Sequence, residues 1–196
     1  MHEFPLEIFK EQNQMKIAIC GPGGSGKDTV AAWFRDNTTL EYKHSTSYMM
    51  REYVFNRMRT FNQEIDKSPN YPDYENSEAC YYDRARFRKC WASLIDKYNR
   101  DDAARLYKEC AAIQDIITGI RTKREFLAAQ KAGVFQLSIW VHRLSGDGDE
   151  TQEYGPEYCD IEIRNEGELT SVYAKLIRLA MAMWIYVPNK AAQDTV

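Results

Sequence analysis

A parallel α/β sheet flanked by helices, with an inserted helical region, is the architecture this chain predicts, and three observations carry it. Residues 16–34, KIAICGPGGSGKDTVAAWF, read as a short apolar run, a glycine-rich turn and a segment patterned as a helix. Two later apolar runs, DIITGIR (115–121) and VFQLSIWVH (134–142), are separated by the helix-patterned TKREFLAAQKAG (122–133). Between about 48 and 112 the pattern is helix after helix. Strands alternating with helices give a parallel sheet, because each parallel pairing needs a crossover long enough to hold a helix. Residues 15–196 read as a single domain carrying the helical insert at about 48–112, preceded by a short extension at 1–14.

The elements follow in order. KIAIC is a buried strand ending at glycine. In DTVAAWFRDN, Val30, Trp33 and Phe34 share one helical face. LEYKHSTSYMM (40–50) reads as a short strand entering a turn, where Ser45 or Ser47 caps a helix through YMMREYVFNRMRTF (48–61). DKSPNYPDYENSE (66–78), with two prolines and several acids, is a loop. In YYDRARFRKCWASLIDKYN (81–99), Phe87, Trp91, Leu94, Ile95 and Tyr98 recur at helical spacing, and Arg84 and Arg88 share another face. DDAARLYKECAA (101–112) is a further helix with Asp101 as its expected N-cap. Thr122 followed three residues later by Glu125 is a capping box, and Gly133 stops that helix. RLSGDGDETQEYGPEY (143–158) is an acidic loop, and residues 159–183 give a last strand, a turn and a long helix. Residues 184–196 carry little signal.

Bulk composition narrows the classes. The 196 residues carry a net charge of −3, spread unevenly: residues 84–131 hold 12 Lys or Arg against 6 Asp or Glu. A basic middle inside an acidic chain suggests a site for an anionic ligand, the alternative being a solvated helix face. The five cysteines include no C-x-x-C pair, so reduced thiols in a cytoplasm are expected. The three histidines share no ligand spacing, which argues against a zinc site. No apolar run approaches the roughly 20 residues of a membrane span. The acidic residues and proline of MHEFPLEIFKEQNQ argue against a targeting peptide. The oligomeric state is left open, a dimer among the options.

The loop 21–28, GPGGSGKD, carries the chemistry. Gly21 to Lys27 fit the spacing G-x-x-x-x-G-K of a phosphate-binding loop, in which backbone N–H groups turn toward phosphate oxygens and a helix N-terminus adds its dipole. Gly21, Gly23, Gly24, Ser25 and Gly26 are thus expected to turn backbone N–H groups around phosphate oxygens. Lys27, expected to stand exposed, would bridge the outer phosphates. The residue after Lys27 is Asp28, where the usual pattern has the Ser or Thr that binds Mg²⁺. Asp28 can replace that hydroxyl as an Mg²⁺ ligand or act as a general base, and Thr29 is the second metal candidate. No apolar strand ends in an acid that would supply another ligand, since Asp115 precedes its strand. Phosphoryl transfer needs cations around the moving group, for which Arg84, Arg88, Arg121 and Arg143 are the candidates.

With these residues in view, the sequence resembles the P-loop nucleotide kinases of bacteriophages, which act as deoxynucleoside monophosphate kinases or as 5-hydroxymethyl-deoxyuridine DNA kinases. The resemblance rests on GPGGSGKDT, STS, YYDRARFRKCW, IITGIRTKREF, IWVHR and DIEIRNEGELTSV, from Met15 to about Met183. It implies ATP as phosphate donor with Mg²⁺, its triphosphate held by Gly21 to Thr29. It implies that Asp83, Arg84 and Arg88, with Ser45 and Ser47, lie at the acceptor site. It places Arg121 beside the transferring phosphate, and Arg143 and Asn165 on the donor side, Asn165 near the base of ATP. His142 stands where the resemblance would have an acid. The acceptor it favours is hydroxymethyluracil within DNA. The basic middle, Tyr81, Tyr82 and Trp91, and Arg51, Arg57 and Arg59 suit a nucleic-acid track. A free deoxynucleotide is the alternative, and a nucleotide-binding switch without transfer ranks last.

Overall fold

The apolar runs form four strands that all lie parallel, in the order β2-β1-β3-β4. They are β1 (Ile17–Cys20), β2 (Ile116–Thr118), β3 (Leu137–His142) and β4 (Ile161–Arg164). The computed structural model describes residues 15–64, 72–143 and 150–187. The expected extension at 1–14, parts of the two expected loops (66–71 and 144–149) and the end of the tail (188–196) lie outside the described residues.

Both sheet faces are covered at β1, β2 and β3, which is why these strands read as apolar runs, whereas the edge strand β4 (IEIR) alternates, with Ile163 buried and Glu162 and Arg164 exposed. Ile17 and Ile19 of β1, Ile116 of β2, and Ile139 and Val141 of β3 face one side. There they meet Val30 and Phe34 of α1 (Lys27–Asn37) and Val172 and Leu176 of α8 (Leu169–Ala182). Ala18, Cys20, Ile117 and Trp140 face the other side, covered by the insert and by Phe126 and Ala129 of α7 (Lys123–Lys131). The insert comprises α2 (Thr46–Met49), α3 (Arg51–Glu64), α4 (Ser77–Tyr82), α5 (Arg88–Tyr98) and α6 (Arg105–Ala111). The result is three layers: helices, parallel sheet, helices. Among the described residues, no helix is long and apolar enough to cross a membrane.

Several local expectations hold. Ser45 caps α2 by accepting from the Tyr48 backbone N–H (3.3 Å). Both halves of the Thr122/Glu125 capping box are formed, and Gly133 follows α7 at φ +67°. Others are corrected. Residues 40–44 form no strand. Instead the buried Asp115 carboxylate accepts from the Glu41 N–H (2.9 Å), and the Glu41 carbonyl accepts from Asp115 and Ile116. This side-chain anchor takes the place of a ladder. Helix α6 starts at Arg105, not after Asp101, because Asp102 accepts from the Ala104 N–H and turns the chain there. Arg84 and Arg88 do not share a helical face: Arg84 sits in the turn between α4 and α5, and α5 begins at Arg88.

Candidate functional site

The glycine loop leaves β1 directly. Gly21 is buried at φ +134°, and a side chain there would run into the Val141 carbonyl, so the loop can lie against β3 only with glycine. Gly26, at φ +96°, is crowded by the Asn165 side chain. Asn165 follows β4, takes a backbone bond from its own N–H to the His142 carbonyl (2.7 Å), and donates from Nδ2 to the Ser25 carbonyl (2.9 Å). It thereby fastens the loop to the far edge of the sheet. The Ser25 hydroxyl, fully buried, finds no partner among the described residues.

Lys27 opens α1. Contrary to the expectation of exposure it is 8 % exposed, and its ammonium donates back to the Pro22 carbonyl (2.5 Å). The stem is therefore packed, and the charge is held at the centre of the loop's curve. Asp28, next on the helix, is exposed.

Beyond the carboxyl ends of β1 and β2 lies a cavity of about 230 Å³, in the crevice where parallel α/β sheets place their ligands. Gly23, Gly24, Lys27 and Asp28 form its floor. Ser45 and Ser47 line it from the start of α2, and Arg84 and Arg88 reach it from either end of the turn before α5. Arg121 reaches it from the end of β2, its guanidinium donating to the Thr151 hydroxyl (3.3 Å). Nine of the residues expected to act are thus brought to one space from five separate elements. Four cations (Lys27, Arg84, Arg88, Arg121) face two carboxylates (Asp28, Glu125) there.

The remaining candidates lie elsewhere. Asp83 is not among the lining residues; its carboxylate accepts from the Tyr74 hydroxyl (2.8 Å) and from Arg86 (3.1 Å), which fits a structural role in the turn. Thr29, one step round α1, is not among the lining residues; it borders a groove with Trp33, Asp36 and Tyr173 that Asp28 also lines. Gly21, Ser25 and Gly26 shape the loop from behind. Arg143 is exposed at the end of β3 and does not line the cavity. Asn165 is not among the lining residues, and its amide nitrogen is engaged by the Ser25 carbonyl. Much of the basic excess of residues 84–131 is paired on the surface: Arg86 with Asp83, Arg105 with Glu109, Lys108 with Asp102, Arg124 with Asp96.

Two lining residues, Glu125 and Tyr107, had no signal in the sequence beyond their local roles, and Trp91, expected on a nucleic-acid track, lines the cavity as well. Glu125 looked like a capping residue only, yet it is 2 % exposed, lines the cavity, and accepts from Asn99 Nδ2 (2.7 Å). Tyr107 of α6 forms part of the same wall. Burial, and then the Glu125 carboxylate, push its phenol well above the ordinary value, so it stays protonated. Trp91 adds an apolar wall with Ile95, and its indole N–H, buried, has no partner among the described residues. Tyr42 lies just outside, its hydroxyl on Thr118 (3.2 Å), and burial pushes it up to about 12, the Asp28 charge adding to the effect.

Asp28 suits Mg²⁺, which is held as a rule by one or two carboxylates together with substrate phosphates and water. No group of three or more His, Cys, Asp or Glu among the described residues makes a cage for a metal on its own.

No protein-family model and no curated protein matches the chain. Among solved structures it is similar to the crystal structure of TT1252 from Thermus thermophilus, at 16 % identity over 86 % of this chain and 97 % of that one, with a TM-score of 0.46.

Proposed function

We propose that the protein is an ATP-dependent phosphotransferase that moves the γ-phosphoryl group to a nucleotide-type acceptor, the first candidate being the 5-hydroxymethyl group of hydroxymethyluracil in DNA. The observation that carries the reading is the convergence of Lys27, Arg84, Arg88 and Arg121 with Asp28 around one cavity at the end of the glycine loop. Transfer of a phosphoryl group asks chiefly for positioning and for cations around the equatorial oxygens, and this wall offers both. The backbone of residues 21–26 and the N-terminus of α1 would hold the donor phosphates. Lys27 would lie along the outer pair, and the arginines would grip the moving group and the acceptor. The acceptor oxygen forms its bond to γ-phosphorus as the bond to the β-bridging oxygen breaks, giving ADP and a phosphomonoester. Asp28 would either take the acceptor's hydroxyl proton or serve, with phosphate oxygens, as a ligand of Mg²⁺, which would supply charge neutralisation.

A second reading, transfer to a free deoxynucleoside monophosphate, is favoured by the size of the cavity. About 230 Å³ lies below the roughly 300–1,000 Å³ usual for ligand sites, which leaves room for no more than one nucleotide unit. Labelled ATP offered with deoxynucleoside monophosphates, thymine DNA and hydroxymethyluracil DNA separates the two. Label is expected in hydroxymethyluracil DNA and absent from thymine DNA. Label in free nucleotides alone establishes the second reading, and ATP consumption with no phosphorylated product in any arm overturns both.

A further inference from the structure

The insert carries the same small construction twice. Arg51 lies over the ring of Tyr48, three residues before it, with Cζ 4.0 Å from the ring centroid, and donates to the Tyr48 carbonyl (3.0 Å). Arg84 lies over the ring of Tyr81, again three residues before it, at 3.9 Å, and donates to the Tyr81 carbonyl (3.0 Å). The two tyrosines meet edge to face, with centroids 5.2 Å apart. The stacks are thus joined into one unit, although α2 and α4 are far apart in sequence.

Neither guanidinium has a carboxylate partner among the described residues. The acids of the same helices are engaged elsewhere: Glu52 with Ser77, Glu78 with Tyr82, Asp83 with Tyr74 and Arg86. Stacking on an aromatic ring orients a guanidinium while leaving most of its donors unused. Arg84 lines the cavity; Arg51 does not. Two further rings flank the pair. His44 stacks on Tyr48 at 4.4 Å, and Tyr82, 71 % exposed, lies 5.7 Å from Tyr81.

We infer that the Tyr48–Arg51 stack is a second anion site, outside the cavity, which holds the phosphodiester next to the nucleotide that Arg84 receives, and that Tyr82 offers a stacking face to a neighbouring base. The partner is single-stranded DNA. Its repeating charge matches two oriented cations carried on rings that touch, its unstacked bases match an exposed ring beside them, and a cavity that admits one nucleotide unit leaves the rest of the strand to lie outside. The inference rests on the proposed function only in taking the cavity as the acceptor's.

Strand binding is read without catalysis, as the fluorescence anisotropy of a labelled oligothymidylate titrated with the protein across a salt series. Arg51→Ala is expected to weaken binding by about tenfold and to flatten the slope of log Kd against log salt by about 0.7, the contribution of one phosphate on a single strand. Arg51→Lys keeps the charge and is expected to retain the slope with a smaller loss. Tyr82→Ala is expected to weaken binding with the slope unchanged. Binding of a fluorescent ATP analogue and of a deoxynucleoside monophosphate is expected to stay at the wild-type level in all three. Should Arg51→Ala fail to fold by circular dichroism, Arg51→Gln, which keeps the stem, replaces it. Wild-type affinity and slope in the Arg51 variants, or an equal loss for the free monophosphate, overturns the inference. Strand binding that depends on Arg51 in a protein that transfers phosphate to nothing leaves the anion site standing and removes the proposed function. Transfer to free nucleotides without strand binding does the reverse.

Discussion

Lys27 and Asp28 are neighbours in sequence with opposite surroundings, and the difference decides how each is tested. The Lys27 stem is packed and its ammonium sits in the curve of the loop, so Lys27→Ala would open a void as well as remove a charge. Lys27→Met keeps the volume. Loss of one cation from a phosphoryl-transfer site costs several kcal/mol in the barrier, so turnover is expected to fall by about 10³-fold or more while the thermal midpoint holds. Wild-type turnover in this variant would remove the donor role of the loop. Asp28 is exposed, and Asp28→Asn keeps its shape without the charge. Its kcat is expected to fall by about 10² or more. Partial recovery on raising Mg²⁺ identifies a lost ligand, and no recovery identifies a lost base. The spacing from Gly21 to Lys27 was readable because a glycine loop is a local device, in which each φ and each N–H belongs to the motif. That Lys27 is buried was not, because its ammonium folds back on the Pro22 carbonyl, a contact the spacing does not display.

Helices α5, α6 and α7 are tied by one buried polar knot. Asn99, at the end of α5, accepts from the Leu106 N–H of α6 (3.1 Å) and donates to Glu125 of α7 (2.7 Å), whose other oxygen accepts from the Thr122 N–H (3.4 Å). Glu125→Gln replaces one of these acceptor oxygens by an amide that can only donate, so one buried donor loses its partner. A loss of about 1–3 kcal/mol is expected, seen as a lower denaturant midpoint at unchanged slope. An unchanged midpoint would show that the knot contributes nothing to stability. The sequence displayed half of this knot. Thr122 and Glu125 announce a capping box because both partners lie within one helical turn, whereas Asn99 meets Glu125 from 26 residues away. The helical face Phe87, Trp91, Leu94, Ile95 and Tyr98 was legible for the same local reason. Residues 40–44 misled because Leu40 is apolar and buried, as a strand residue would be, while the bond that holds the segment comes from the distant Asp115 side chain. Likewise the three-residue spacing of Tyr48 and Arg51 is visible in the sequence, but its partnership with Tyr81 and Arg84 is a property of helix packing.

Stability at high pH reflects groups spread through both cores. Burial pushes the Cys80 thiol up to about 11 and the Cys110 thiol up to about 12, against an ordinary value of 9.0, and Tyr42 up to about 12. In the unfolded chain these groups lose their protons first, so each favours unfolding as the pH climbs above its ordinary value. The thermal midpoint is expected to be flat from neutrality to about pH 9 and to fall steadily above it; a midpoint unchanged at pH 11 would show that these thiols and this phenol are hydrated in the native state. The order of the sheet has a further bearing, on the protein's birth. Strand β1 is the first of the four to leave the ribosome, yet it lies inside the sheet with β2 on one side and β3 on the other. Its pairing partners are far along the chain: Ile17 meets Ile116 and Leu137. At about 5–20 residues per second, β1 waits for several seconds with both edges unpaired, and residues 21–26 wait longer still, until Asn165 arrives from beyond β4. A nascent chain stalled before residue 165 therefore carries the glycines and the lysine without the clamp that fastens their loop, and the loop takes its final form only late in synthesis.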